Sequence, residues 1–182
     1  SGKGAGAAMI MANLQASIRV GIDIMDKTEF SNFVNTINNH IYKNTSSSEF
    51  ITFFMGIWNP TSKMLYYINA GHNPPLVLNK ENKVTTLNAT GLILGILPDQ
   101  KYEIGSVKIE EESVLAIYTD GLEEALSPAN EIFGQEKIIN AVSSNRHLSS
   151  REIVKAVQDK AIEHCEGKPL HDDLTMIVAK TL

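Results

Sequence analysis

Residues 113–121 read Ser-Val-Leu-Ala-Ile-Tyr-Thr-Asp-Gly, and residues 172–179 read Asp-Asp-Leu-Thr-Met-Ile-Val-Ala. Each joins a short run rich in β-branched and aliphatic residues to acidic residues at one end. Asp120 directly follows the strand expected over 113–118, and Asp172 with Asp173 directly precedes the strand expected over 174–179. Paired antiparallel, the end of the first strand lies beside the start of the second, about 4.5 to 5.5 Å across the ladder. Asp120 and Asp172 then share one sheet edge. Carboxylates crowded there repel one another unless a cation sits between them, and hard oxygen donors select Mg²⁺, Mn²⁺ or Ca²⁺ over thiophilic metals. On spacing alone, an Asp-Gly turn and a polar strand flank account for the same residues, so both readings stand at this point.

Upstream of these runs, 50–58 and 64–69 are β-rich and parted by Asn59-Pro60-Thr61-Ser62-Lys63, which is turn chemistry and predicts a hairpin. The runs 76–78 and 84–87, parted by Asn79-Lys80-Glu81-Asn82-Lys83, predict another. An apolar run over 92–97 ends at Pro98-Asp99, and 102–109 with 113–118 suggests a third antiparallel pair. Helices flank this centre. Ala7, Ala8, Ile10, Met11, Leu14 and Ile18 recur at helical spacing with few polar interruptions, which predicts a helix buried on most sides. A second helix is expected after Asp26, with Asp26 and Glu29 as capping box, Met25 and Phe30 as hydrophobic staple, and Phe30, Phe33, Val34, Ile37 and Ile41 as core stripe. Helices are also expected over 133–142 and 148–165. The latter carries a Ser149/Glu152 capping box, a Leu148/Ile153 staple and the stripe Ile153, Val157, Ala161, Cys165 before Gly167 and Pro169. Helices at both ends of an antiparallel centre make an α+β layered fold.

The 182 residues are 43% hydrophobic and 20% charged, the composition and length of one ordinary globular domain, with no internal repeat or linker. A net charge of −5 without a Lys/Arg-rich stripe argues against nucleic acid as a partner. Cys165 stands alone, which excludes an intrachain disulfide, suits a reducing compartment and predicts a buried small apolar residue. The uncharged stretch 4–18 falls short of the ~20 apolar residues a membrane helix needs, and no signal-peptide pattern follows it, so a cytoplasmic address is expected.

Of the five histidines, His40, His147 and His164 are expected at the surface without partners. His171, beside the Asp pair, is expected to be an exposed neighbour and is the only candidate for a catalytic acid. His72 lies with Asn73 in the stiff loop Ala-Gly-His-Asn-Pro-Pro over 70–75, where bonding to nearby backbone is expected. Ser1-Gly2-Lys3-Gly4 precedes a helix in the manner of a phosphate loop, which raises a nucleotide-binding alternative, but the full G-x-x-x-x-G-K-[ST] pattern is not met.

The segments SGKGAGAA, AGHNPPLVL, TGLILGIL, IYTDGLEEA and HDDLTMIV occur in that order along the whole chain. In this the sequence resembles bacterial PPM-type phosphatases of the SpoIIE/RsbU branch. The resemblance implies an αββα sandwich of two antiparallel sheets flanked by helix pairs, with a centre of two Mn²⁺ or Mg²⁺ ions. It implies metal-binding roles for Asp120 and Asp172, with Asp173 in a more variable place of the same motif, and motif-loop roles for Ser1, Gly2, Gly4, His72, Asn73 and Gly121. It further implies a protein Ser/Thr phosphatase, acting on a phosphorylated STAS-type anti-sigma-factor antagonist under an upstream sensor or receiver domain. The family motif reads Asp, any residue, Ser-Gly-Lys-Gly, and this chain begins at that Ser. It is therefore expected to be a fragment that lacks the bridging Asp, an earlier acidic segment and the strands carrying it. Such a fragment exposes a sheet edge and apolar surface, and self-association, including a homodimer, is expected. The alternative from another class is a catalytically inactive interaction module.

Overall fold

The computed structural model describes residues 4–24, 29–45, 49–170 and 172–181. Its elements run α1 (Ala5–Ile24), α2 (Phe30–Asn44), β1 (Phe53–Asn59), β2 (Met64–Ala70), β3 (Leu76–Leu78), β4 (Val84–Thr86), β5 (Gly105–Lys108), β6 (Val114–Tyr118), α3 (Asp120–Glu123), α4 (Gly134–Asn145), α5 (Ser150–Cys165) and β7 (Met176–Lys180). The chain divides into two compact units, one of residues 1–72 with 88–107 and one of residues 73–87 with 108–182.

The first unit carries α1, α2 and the antiparallel β1/β2 hairpin, whose register runs from Phe53 opposite Ala70 to Asn59 opposite Met64, with β5 as the third strand on β2. Asn59 closes the hairpin turn by accepting from the backbone N–H groups of Thr61 and Ser62. Phe30, Val34, Ile37 and Ile41 of α2 are buried against Phe53, Ile68, Leu94 and Tyr102, as the helical stripe predicts. The expected cap and staple at Asp26 and Met25 lie outside the described residues. α1 departs from expectation. Among its described side chains Leu14 is the one large apolar residue fully buried, while Met9, Met11, Val20 and Ile22 are exposed. The reason is a shortage of neighbours: among the described residues α1 meets α2 along one side, closest where Gly21 faces the Phe33 ring.

The run 92–97 is a loop rather than a strand. Leu94 makes an isolated bridge with Ile51 and packs its side chain into the core, and the buried Asn38 amide fastens the run by accepting from Gly95 N–H and donating to Leu97 O.

The second unit carries the sheet β4-β3-β6-β7, antiparallel throughout. β6 is central, and its alternation buries Val114, Ala116 and Tyr118 on one face, where the register sets Leu76 and Leu78 beside them. α4 and α5 cover that face with Ile138, Ala141, Val142, Ile153, Val157, Ala161 and Cys165. The Ser149/Glu152 capping box is formed in both directions, and Leu148 and Ile153 both join the core. Glu166 and Gly167 end α5 with positive φ. The expected pairing of 102–109 with 113–118 is not made. β6 has both edges occupied, by β3 and β7, so β5 joins the other sheet. Among the described residues no helix is long and apolar enough to cross a membrane.

Candidate metal centre

β6 and β7 pair from Val114/Lys180 to Tyr118/Met176, which brings the ends of both motifs to one sheet edge. The ladder continues past the strands. Thr119 N–H donates to Thr175 O at 3.1 Å, Thr175 N–H donates to Thr119 Oγ1 at 3.3 Å, and that hydroxyl donates to Asp173 O at 3.4 Å. Asp120 then opens the single turn α3, closed by Glu124 N–H donating to Asp120 O at 2.8 Å.

Gly121 explains why the motif is Asp-Gly. A Cβ at this position would stand 2.5 Å from Asp173 O and 3.4 Å from the Asp172 carbonyl carbon, so only glycine lets the two backbones approach. The turn is thus pressed against the Asp172-Asp173 loop, with Leu122 buried beneath it.

A cavity of about 540 Å³ opens here, lined by Asp120, Glu123, Glu124 and Asp172 with Asn73, and walled on the apolar side by Leu126 and Ile132. Among the described residues no lysine or arginine lines it. Asp120 Oδ1 accepts from the neighbouring Gly121 N–H, and Asp172 Oδ1 from Asp173 N–H, each at 2.9 Å. Among the described residues neither carboxylate has an ion pair. Carboxylates that line one concavity with no cationic side chain among the described residues have the hard-oxygen chemistry that suits Mg²⁺ or Mn²⁺, so Asp120 and Asp172 fit the ions the motif implies. Among the described residues no three His, Cys, Asp or Glu side chains converge closely enough to hold an ion alone. Asp173 is exposed and does not line the cavity.

Ser1, Gly2 and His171 lie outside the described residues. Gly4 is exposed with φ +91° and its carbonyl accepts from Ala8 N–H at the start of α1. His72 is half-buried in the first unit, its backbone bracketed by Asn69, which accepts from His72 N–H at 2.8 Å and donates to His72 O at 3.1 Å. Asn73 is in the second unit, where its Nδ2 donates to Glu123 Oε2 at 3.0 Å. Glu123 and Asn69 escaped sequence reasoning. The signal for Glu123 was its place one turn after Asp120, and Asn69 carried none. His164 also differs from expectation. It is half-buried, with Nε2 2.9 Å from Glu131 O, Nδ1 3.3 Å from Lys137 Nζ and its ring on Phe133. Below the site, burial raises the Tyr118 phenol above its ordinary value, the Gln135 hydrogen bond opposes that rise, and the charge of Glu123 adds to it.

The two antiparallel sheets with their helices are the fold of PP2C-type phosphatases: the SiaA-PP2C domain of Pseudomonas aeruginosa superposes with a TM-score of 0.80 at 16% identity, over 99% of this chain and 72% of that one. The family model described as Stage II sporulation protein E (SpoIIE) matches residues 1–182, and the chain belongs to that family. Protein IcfG of Synechocystis is 34% identical over 150 residues, 82% of this chain and 24% of IcfG. Phosphoserine phosphatase RsbU of Bacillus subtilis is 28% identical over 182 residues, 98% of this chain and 52% of RsbU. The chain thus spans about half or less of the length of these relatives. Two further structures of the fold hold ions: RsbX in complex with magnesium (TM-score 0.71, 18% identity, 98% of this chain and 76% of that one) and the PstP catalytic domain with two manganese ions (0.66, 13%, 95% and 80%).

Proposed function

We propose that residues 1–182 form one metal-dependent protein Ser/Thr phosphatase domain, with Asp120 and Asp172 as ligands of its metal centre. The observation that carries this reading is the placement of Asp120 and Asp172 on one cavity, with Gly121 fitted against the Asp172-Asp173 backbone. Asp120 and Asp172 would hold Mn²⁺ or Mg²⁺, with Asp173 beside them as the variable motif member. When bound, the ions supply activation of water for in-line attack on phosphorus and neutralise charge on the phosphoryl oxygens. The protein's own contribution is positional. The Thr119/Thr175 ladder fixes the two Asp-bearing loops against each other, and the buried Leu122 anchors the turn. The enclosing carboxylates leave the cavity suited to a cation-borne phosphate rather than to a bare anion.

The substrate we infer is a phosphoserine or phosphothreonine on a STAS-type anti-sigma-factor antagonist, in the cytoplasm and downstream of a sensor or receiver domain. The phosphoserine part of this reading is supported by the likeness to RsbU, a phosphoserine phosphatase.

The test is Mn²⁺-dependent hydrolysis of a phosphoryl ester by the protein extended upstream of Ser1, beside this 182-residue chain and an Asp120→Asn variant of the extended form. Activity in the extended form alone, lost in the variant, is expected. A folded extended form without activity would instead favour an inactive interaction module.

A further inference from the structure

Asn73 and Glu123 are 50 residues apart, hydrogen-bond to each other and both line the cavity. Their meeting is built into the fold. Asn73 is followed by Pro74 and Pro75, whose fixed φ angles stiffen the entry into β3. Leu87 N–H donates to Pro75 O at 2.8 Å, pinning that entry to the strand pair. β3 runs antiparallel to β6 with Leu76 opposite Ala116, so the loop before β3 emerges at the same sheet edge as the turn after β6. That turn is α3, a single turn with no side-chain cap at Thr119, too short to hold its own shape by helical hydrogen bonds. Glu123 stands three residues after Asp120, on the same side of the turn, and lines the same cavity.

Resting on the phosphatase reading, we propose that Asn73 is a positioning residue for the metal centre. Its carboxamide holds the Glu123 carboxylate toward the cavity of Asp120 and Asp172, where the charge of Glu123 strengthens retention of the divalent cation. A carboxamide suits this task. It donates a hydrogen bond without bringing the positive charge that a Lys or Arg would set against the cation. Glu123 thereby keeps its full negative charge available to the site, while its rotamer is fixed by a half-buried partner. Partners of this kind, one shell out from the ligands, set metal affinity by roughly 10–100-fold.

The experiment is calorimetric titration of Mn²⁺ into the upstream-extended protein and its variants, each first melted without metal to verify folding. Asn73→Ala is expected to weaken Mn²⁺ binding about tenfold, with the metal-free melting temperature little changed, and to add nothing when made on top of Glu123→Ala. Glu123→Gln retains an acceptor for Asn73 and should fold normally, yet it should weaken Mn²⁺ to a similar degree. This variant also decides the matter if Asn73→Ala does not fold. Unchanged Mn²⁺ affinity in Glu123→Gln, or effects of Asn73→Ala and Glu123→Ala that multiply, would overturn the proposal. A parent protein that binds no Mn²⁺ would overturn the phosphatase reading and this inference together, whereas binding by the parent that neither variant alters would overturn this inference alone.

Discussion

α1 and α5 are both helices of sixteen residues or more, and α1 is the more apolar, yet their fates differ. α5 buries Ile153, Val157, Ala161 and Cys165 to 3% exposure or less, while α1 fully buries only Leu14 among its described large side chains. Apolar content alone therefore does not decide burial. α5 has a narrow stripe with a charged opposite face, so one sheet face and α4 satisfy it completely. α1 is apolar on nearly every side and would need neighbours on several, of which the described residues supply α2. The better-defined pattern makes the better-packed helix, and the sheet whose edge carries Asp120 and Asp172 rests on that helix.

The largest effect is expected where the stripe is complete. Ile153→Ala empties a fully buried position between α5 and the sheet and should lower stability by about 2–5 kcal/mol, read from chemical denaturation. A loss below about 1 kcal/mol would mean that the second unit's core is as loose as the surroundings of α1. In the first unit the test is alkaline. Burial pushes the Tyr102 phenol up to about 12 from an ordinary value of 10.0. Above pH 10 the unfolded chain releases this proton while the folded chain keeps it, so stability present below pH 10 is lost as pH rises through about 12. The slope is at most about 1.4 kcal/mol per pH unit, and Tyr102→Phe should flatten it. Melting curves between pH 9 and 11 in wild type and variant check the difference, given that this hydroxyl has no hydrogen-bond partner among the described residues. Ser149→Ala removes the N-cap of α5 and should cost about 1 kcal/mol. The accompanying Glu152 carboxyl is held below its ordinary value chiefly by the Ser149 hydroxyl. Its contribution is therefore present above the ordinary carboxylate range and fades as pH falls through the depressed value, a fading that Ser149→Ala should weaken while the Ser149 N–H bond to the carboxylate sustains the rest.

What could be read from the sequence follows the range of the forces involved. The β6/β7 pairing, and with it the meeting of Asp120 and Asp172, was legible because alternation and strand-end acids are local signals. The α5 cap was legible for the same reason. The assignment of β5 beside β6 failed because adjacency in sequence does not state which sheet has a free edge. The run 92–97 looked like a strand because its tie, Asn38, lies 57 residues from Gly95. Glu123 stayed hidden because its significance comes from Asn73 across the β3/β6 register, and His164 because Glu131 and Lys137 reach it from other segments.

The smallest expected effect tests the other side of the comparison. Met9 and Val20 are each 68% exposed on α1. Replacing both by Gln exchanges exposed apolar surface for a residue of good helix propensity, so stability should stay within about 0.5 kcal/mol of the parent chain. The same double variant should reduce self-association of the 182-residue chain, seen as a later, narrower peak in size-exclusion chromatography, because it breaks the exposed apolar patch that α1 presents. A stability loss of about 2 kcal/mol or more, the size expected for burying such side chains, would show that this face of α1 is covered in the folded protein. In that case α1 and α5 would differ in which segments supply their partners rather than in whether they have them.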